Sequence, residues 1–404
     1  MIKTASARRW VYLVVGVLAM LFAGVIYAWS ILRAPFASNF GWNDTQLSLN
    51  FTLTMTFFCL GGFVGAKLCQ RVGVMLSVVI AGALTAIGFV LTSTLTGSNI
   101  FMLYLSYGLL AGLGIGICYN VVISTVNAWF PDKKGLCSGC LMMGFGASSL
   151  VLGKLATAGM ANFGWRTTFL VLGMALYVVL VVTAIILKKP TAQDSLPAPK
   201  VKKNAKVESF EARDYTTGEM LRRPSFWMAF VGIGLLAAVG SSVISFAKGL
   251  SMSVGAEEAL AVTLVGVLSM CNGLGRILTG ALFDAMGRRF TMMASNILTI
   301  AAAGVTLAAV SMGSLPLCIV GLCLVGMSYG SCPTVSSAFV SAFYGSKSFP
   351  TNFSIMNFNL IGSSLMATAC GSLLTSTGSY NGPFVLLLSL ACGALVLNFI
   401  IRKP

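Results

Sequence analysis

Long apolar runs alternate with short polar breaks along the 404 residues of the chain. Each run is close to the roughly 20 residues that a helix needs to cross about 30 Å of hydrocarbon. The pattern predicts twelve spanning helices, at 10–32, 46–66, 75–95, 101–126, 136–160, 167–187, 226–250, 259–283, 290–312, 315–341, 352–375 and 382–401. With 57% hydrophobic and 9% charged residues, the chain lacks the polar surface of a water-soluble protein. An all-α integral membrane protein is expected. The first run is too long for a signal-peptide core and no A-x-A-like site clearly follows it, so it counts as the first span.

The longest polar break, 188–223, is rich in Pro, Lys and Glu and cannot form a core. It divides the spans six and six, predicting an N-terminal six-helix bundle over 1–187, a cytoplasmic linker over 188–223 with room for a short amphipathic helix near its end, and a C-terminal six-helix bundle over 224–404. Two such halves suggest parallel repeats about an axis along the membrane normal. The loop after the eighth span, Gly280-Ala281-Leu282-Phe283-Asp284-Ala285-Met286-Gly287-Arg288-Arg289, has a counterpart after the second, Ala66-Lys67-Leu68-Cys69-Gln70-Arg71-Val72-Gly73-Val74-Met75.

The net charge of +16 follows the membrane and does not call for a nucleic acid. With both termini inside, the inner side collects Lys3, Arg8, Arg9, Lys67, Arg71, Lys133, Lys134, nine basic residues from Lys188 to Arg223, Arg288, Arg289, Lys347, Arg402 and Lys403. The outer loops hold little beyond Arg33 and Arg166. The positive-inside rule therefore sets both termini in the cytoplasm of a multi-pass protein of the cell (inner) membrane. The eleven cysteines fall mostly in spans, which argues against structural disulfides. Cys137-x-x-Cys140 stands without a second pair and without any histidine in the chain, so no metal or cofactor is expected. No Walker sequence and no nucleophile with a base is found, and the chain does not read as an enzyme.

Arg276 lies within the apolar segment 259–283. A cation at that depth costs several kcal/mol unless a cavity, a partner or an anion compensates. All ten acids fall in predicted loops or at segment ends, so the natural counter-ion is a transient one. Asn272, four residues earlier on the same helix face, can orient the guanidinium or bond the ligand. A guanidinium matches a carboxylate with two parallel hydrogen bonds and stays charged at any relevant pH. Lys154 and Lys248 lie nearer the outer ends of their spans, where lysine snorkels to water; if functional, they draw anions into an outer vestibule. Gly112-x-Gly114-x-Gly116 has no strand before it and reads as helix packing rather than a dinucleotide loop.

The loop of Gly280, Asp284, Gly287, Arg288 and Arg289 resembles the signature of the major facilitator superfamily, and that of Arg71 and Gly73 is a weaker copy with Gln70 in the acid position. The resemblance implies twelve transmembrane helices in two six-helix bundles and a cytoplasmic latch at these loops. Trp129-Phe130-Pro131-Asp132-Lys133-Lys134-Gly135, the glycine run ending before Tyr119, Asn272-Gly273-x-x-Arg276 and Gly218-Glu219-Met220-Leu221-Arg222 with Pro224 and Phe226-Trp227 are similar to the oxalate:formate antiporter family, which includes bacterial relatives of monocarboxylate transporters. It implies a central pathway holding Tyr27, Tyr119 and Tyr329, the last two at corresponding places in the fourth and tenth spans. A second cation, expected in the eleventh span of oxalate carriers, is missing from 352–364, where Asn357 and Asn359 offer hydrogen bonds instead. The implied function is secondary transport of a small monocarboxylate such as lactate, pyruvate or formate, by proton symport or anion exchange and as a monomer. An oxalate or dicarboxylate antiporter and an anion-binding membrane sensor are the alternatives.

Overall fold

A computed structural model describes residues 2–42, 44–97, 99–191, 194 and 214–401, and every regular element among them is helical. Helix α1 (Ile2–Ala23) passes through a 3-10 stretch (Gly24–Ala28) into α2 (Trp29–Leu32), and α3 (Ala34–Phe40) follows. Next come α4 (Asp44–Ser93), α5 (Phe101–Leu103), a π-helical stretch (Tyr104–Ala111), α6 (Gly112–Ala128) and α7 (Lys134–Ile186). The second half holds α8 (Thr217–Leu221), α9 (Pro224–Ser253), α10 (Glu258–Met312), α11 (Leu315–Tyr344), α12 (Phe349–Met356), α13 (Asn359–Thr377) and α14 (Asn381–Ile400).

Among the described residues, nine helical segments are long and apolar enough to cross a membrane. Three of them hold two spans each. Helices α4, α7 and α10 run 50, 53 and 55 residues, more than twice the thickness of hydrocarbon at about 1.5 Å per residue. Each is interrupted by one glycine: Gly73 (φ 82°, ψ 177°), Gly164 (φ 78°, ψ 160°) and Gly287 (φ 77°, ψ −178°). Only glycine adopts that backbone cheaply. The splits bring the count to the twelve spans that hydropathy predicts.

The exposed surface is far more apolar than that of a soluble protein. Large apolar side chains such as Phe101, Phe163, Met312 and Val14 are exposed, where lipid would meet them, while Thr54, Thr85, Thr299 and Thr306 are buried. These threonines satisfy their hydroxyls by donating to the carbonyl four residues back, the usual solution where water is absent.

The chain divides into two compact units, Met1–Lys200 with Phe353–Phe358 and Val201–Asn352 with Asn359–Pro404. Their internal geometry repeats. The positive-φ glycines Gly41, Gly73 and Gly164 in the first half recur as Gly255, Gly287 and Gly378, each pair 214 residues apart. Helix packing repeats in the same register. A Cβ on Gly112 or Gly116 of α6 would collide with the carbonyls of Thr54 or Phe58 on α4, and one on Gly326 or Gly330 of α11 with those of Leu268 or Asn272 on α10. The glycine run 112–116 is thus a backbone-to-backbone contact.

Candidate functional site

The α10–α11 contact positions the buried cation of α10. Because Gly330 lies directly on the Asn272 carbonyl and near the Arg276 nitrogen, the two helices approach closely there and enclose the Arg276 side chain, which is 1% exposed. Its Nε donates to Asn272 Oδ1 at 3.0 Å, as the four-residue spacing allows. Nη2 is buried and has no hydrogen-bond partner among the described residues. Arg276 forms no ion pair among the described residues. A charged donor left unsatisfied costs more than the ~1–3 kcal/mol of a neutral one, so this nitrogen is poised for an acceptor.

Tyr329 sits on the same helix as Gly330, its ring seated on Gly240 of α9. Pro333, inside α11, has no N–H to give to the Tyr329 carbonyl four residues back. Asn359 is buried, its Nδ2 without a partner among the described residues, and its Cβ packs 3.4 Å from where a Cβ on Gly234 would stand.

In the first unit, Tyr27 and Tyr119 meet on one ring. Tyr27 lies in the 3-10 stretch that interrupts the first span and stands edge-on to Phe145 at 5.1 Å. Tyr119 stands edge-on to Phe145 at 5.1 Å and to Phe58 at 5.0 Å, and stacks on Phe353 at 6.2 Å. Next to it, Asn120 Nδ2 donates to Ser354 Oγ (2.9 Å), which donates to the Gly62 carbonyl (3.0 Å). Sequence reasoning missed Phe58, Phe145, Phe353, Asn120 and Ser354. Asn120 carried a signal, being a polar residue in an apolar span; the phenylalanines carried none, being indistinguishable from lipid-facing ones.

The eleventh span is discontinuous, with α12 ending at Met356 and α13 beginning at Asn359. Asn357 lies at the break, buried, and its carbonyl accepts from the Cys59 thiol at 3.2 Å. One sequence expectation needs correction. The 214-residue register pairs Tyr329 with Ile115 and Tyr119 with Pro333. The two tyrosines are therefore one helical turn apart in the repeat and not in corresponding positions.

The loops between spans are held by local polar contacts. Arg9 Nη1 pairs with Asp132 Oδ1 at 2.9 Å, both side chains 9% exposed, and its guanidinium lies 5.0 Å from the Phe130 ring. Trp129 Nε1 donates to the Lys188 carbonyl at 2.7 Å. The Trp129-Phe130-Pro131-Asp132 string is thus a clamp on the N-terminal end of α1. In the second unit Asp214 Oδ1 accepts the N–H groups of Ser346 and Lys347 at 2.9 and 3.0 Å, and a Thr216–Glu219 capping box starts α8. The described end of the predicted linker is therefore tied to the α11–α12 loop. Arg288 stacks on Phe343 at 4.7 Å, while Arg71, Asp284 and Arg289 are exposed and Gly280 is buried. Lys154 is exposed on α7, and the Lys248 side chain lies outside the described residues.

The profile of the Major Facilitator Superfamily matches residues 11–358. The chain is 28% identical over 302 residues to the MFS-type transporter YhjX of Escherichia coli (strain K12), covering 74% of this chain and 72% of that one. It is 28% identical to the oxalate:formate antiporter of Oxalobacter formigenes, covering 70% and 66%, and 28% identical to monocarboxylate transporter 12 of Xenopus laevis, covering 59% and 52%. The chain thus spans less than two thirds of the length of the last two. In fold it is similar to the transporter FucP (TM-score 0.70, 12% identity, 97% of this chain and 99% of that one) and to the proton:xylose symporter XylE (TM-score 0.69, 12% identity, 98% and 97%). These are transporters and not enzymes, and their fold is the one built here from twelve spans in two repeats. With most of its length matched, the chain belongs to the Major Facilitator Superfamily.

Proposed function

We propose that the chain is a secondary carrier of small monocarboxylates, such as lactate, pyruvate or formate, in the cell membrane with both termini cytoplasmic. The observation that carries this reading is the buried Arg276 with Nε held by Asn272 and Nη2 unpartnered. One carboxylate supplies the missing acceptor and neutralises the charge. The names of two relatives, an oxalate:formate antiporter and a monocarboxylate transporter, support the substrate class.

The repeat register favours a monocarboxylate over a dicarboxylate. The position of Arg276 corresponds in the first half to Gly62, and the space beside Gly62 is occupied by the neutral Asn120 and Ser354. The broken eleventh span brings no cation. A second carboxylate would stay uncompensated in a medium of low dielectric.

Alternating access is the natural mechanism for a carrier of two repeats, with Arg276 taking the carboxylate, Tyr27, Tyr119 and Tyr329 contacting the short apolar tail and Asn357 and Asn359 offering bonds to a hydroxyl or carbonyl. The proteoliposome experiment that tests this measures labelled lactate uptake under an inward proton gradient, into empty vesicles and into vesicles preloaded with unlabelled lactate. Uptake into empty vesicles that depends on the gradient identifies proton symport, and uptake only after preloading identifies exchange. No uptake of lactate, pyruvate or formate in either preparation overturns the monocarboxylate reading.

A further inference from the structure

Two thiols outside the Arg276 site meet across the α10–α11 contact. The Cys271 and Cys323 thiols lie close enough to interact with one another. A Cβ built on Gly326, three residues along α11 from Cys323, would lie 2.8 Å from the Cys271 Cβ, which seats Cys271 on the face of α11 that Cys323 shares. Both cysteines are free and only half-buried, and the carboxylate reading uses neither. Cys271 also adjoins Asn272, the residue that holds Arg276.

Two adjacent thiols on different helices have a chemistry that one thiol lacks. A soft centre able to bond two sulfurs can bridge them, and soft thiolate ligands select such centres over hard cations. We propose that Cys271 and Cys323 form a chelating dithiol site for a soft thiophilic centre of the trivalent-arsenical class, whose binding staples α10 to α11. With an arsenoxide the step balances without an oxidant. Two S–H bonds break, two As–S bonds form, the arsenic-bound oxygen leaves with both protons as water, and arsenic remains trivalent. Partial exposure in a membrane-spanning region means that the site is reached by a reagent that partitions into hydrocarbon.

The rival dithiol is Cys137-x-x-Cys140 on α7, with Cys137 buried and Cys140 half-buried, and the exposed Cys392 offers a single thiol. The test uses the full chain in lipid nanodiscs with phenylarsine oxide, read as adduct mass on the intact protein. One adduct per chain is expected to survive washing with 2-mercaptoethanol and to leave with 2,3-dimercaptopropanol. Cys271→Ser and Cys323→Ser each lose the wash-resistant adduct, their residual arsenical dissociating about 100-fold faster because the second bond is no longer intramolecular. Cys140→Ser and Cys392→Ser keep it. Digestion of the wild-type adduct yields a bridged pair of peptides holding residues 271 and 323, a readout that needs no variant to fold. Retention in Cys271→Ser or Cys323→Ser, loss in Cys140→Ser, or absence of a wash-resistant adduct overturns the proposal. Binding is read by mass, so its outcome stands apart from whether the carrier takes lactate.

Discussion

Arg276 Nε lies 3.0 Å from Asn272 Oδ1, one turn away on α10, and that bond fixes the guanidinium with Nη2 left unpartnered among the described residues. Asn272 is neutral, so it aims the arginine without discharging it. Asn272→Asp would place a carboxylate at the same distance and satisfy the cation permanently. A purely structural arginine would be stabilised by that change, with transport intact. An anion-binding one should lose substrate affinity by more than Asn272→Ala does, while the melting temperature holds or rises. Arg276→Lys keeps the charge but not the planar fork, and uptake should fall about 100-fold, in line with the ~3 kcal/mol upper range for hydrogen bonds to charged groups. Saturation kinetics of labelled lactate exchange in the three variants check this.

The close approach of α11 to α10 makes Gly330 a stability determinant and separates it from glycines that touch nothing. A methyl at Gly330 would meet the Asn272 carbonyl, whereas one at Gly304 would have open space within 4 Å. Gly330→Ala should cost about 1–3 kcal/mol through overpacking and displace the Asn272–Arg276 turn. Gly304→Ala, inside the helical run of α10, should gain roughly 0.5–1 kcal/mol. Thermal unfolding of both variants in detergent distinguishes them, and equal melting temperatures would refute the contact.

Much of the architecture was legible because hydrocarbon imposes a length on every span. Twelve apolar runs and their polar breaks follow from that one constraint, and Arg276 stood out as its exception. The breaks inside spans were not legible. Nothing in the composition around Tyr27 marks a 3-10 stretch, and Asn357 and Asn359, though poor helix formers, do not by themselves break a helix that neighbours can hold. The register of the repeat was out of reach too. It rests on which carbonyl each glycine meets, and so the alignment of Tyr119 with Tyr329 was off by one turn. The contact of Cys271 with Cys323 needed the crossing of two helices, since eleven cysteines offer many pairings.

Gly73 and Gly164 offer a test of backbone strain without steric confusion. Both have positive φ with extended ψ, and a Cβ on either would meet nothing within 4 Å. Any loss on substitution is therefore conformational. Gly73→Ala and Gly164→Ala should each destabilise by about 1–3 kcal/mol, and adding a larger side chain in place of alanine should cost little more. Unfolding midpoints that fall steeply with side-chain size would instead indicate a steric clash.

Arg9 and Asp132 pair at 2.9 Å with both side chains almost wholly buried, near the N-terminal end of the first span. Removing one partner leaves the other charge buried alone, which costs about 3–5 kcal/mol in comparable sites. Asp132→Asn and Arg9→Gln should each destabilise strongly, and the double variant should recover a large part of the loss. The Phe130 ring, 5.0 Å from the guanidinium, sets a limit on that recovery, since its attraction to Arg9 disappears in Arg9→Gln and in the double variant alike. A double-mutant cycle in unfolding free energy isolates the pair. Because the pair is distant in sequence from Arg276 and serves as a clamp, the half-saturation for lactate should stay within twofold in those molecules that remain folded. If Asp132→Asn instead raised the half-saturation at unchanged stability, Asp132 would belong to the transport pathway.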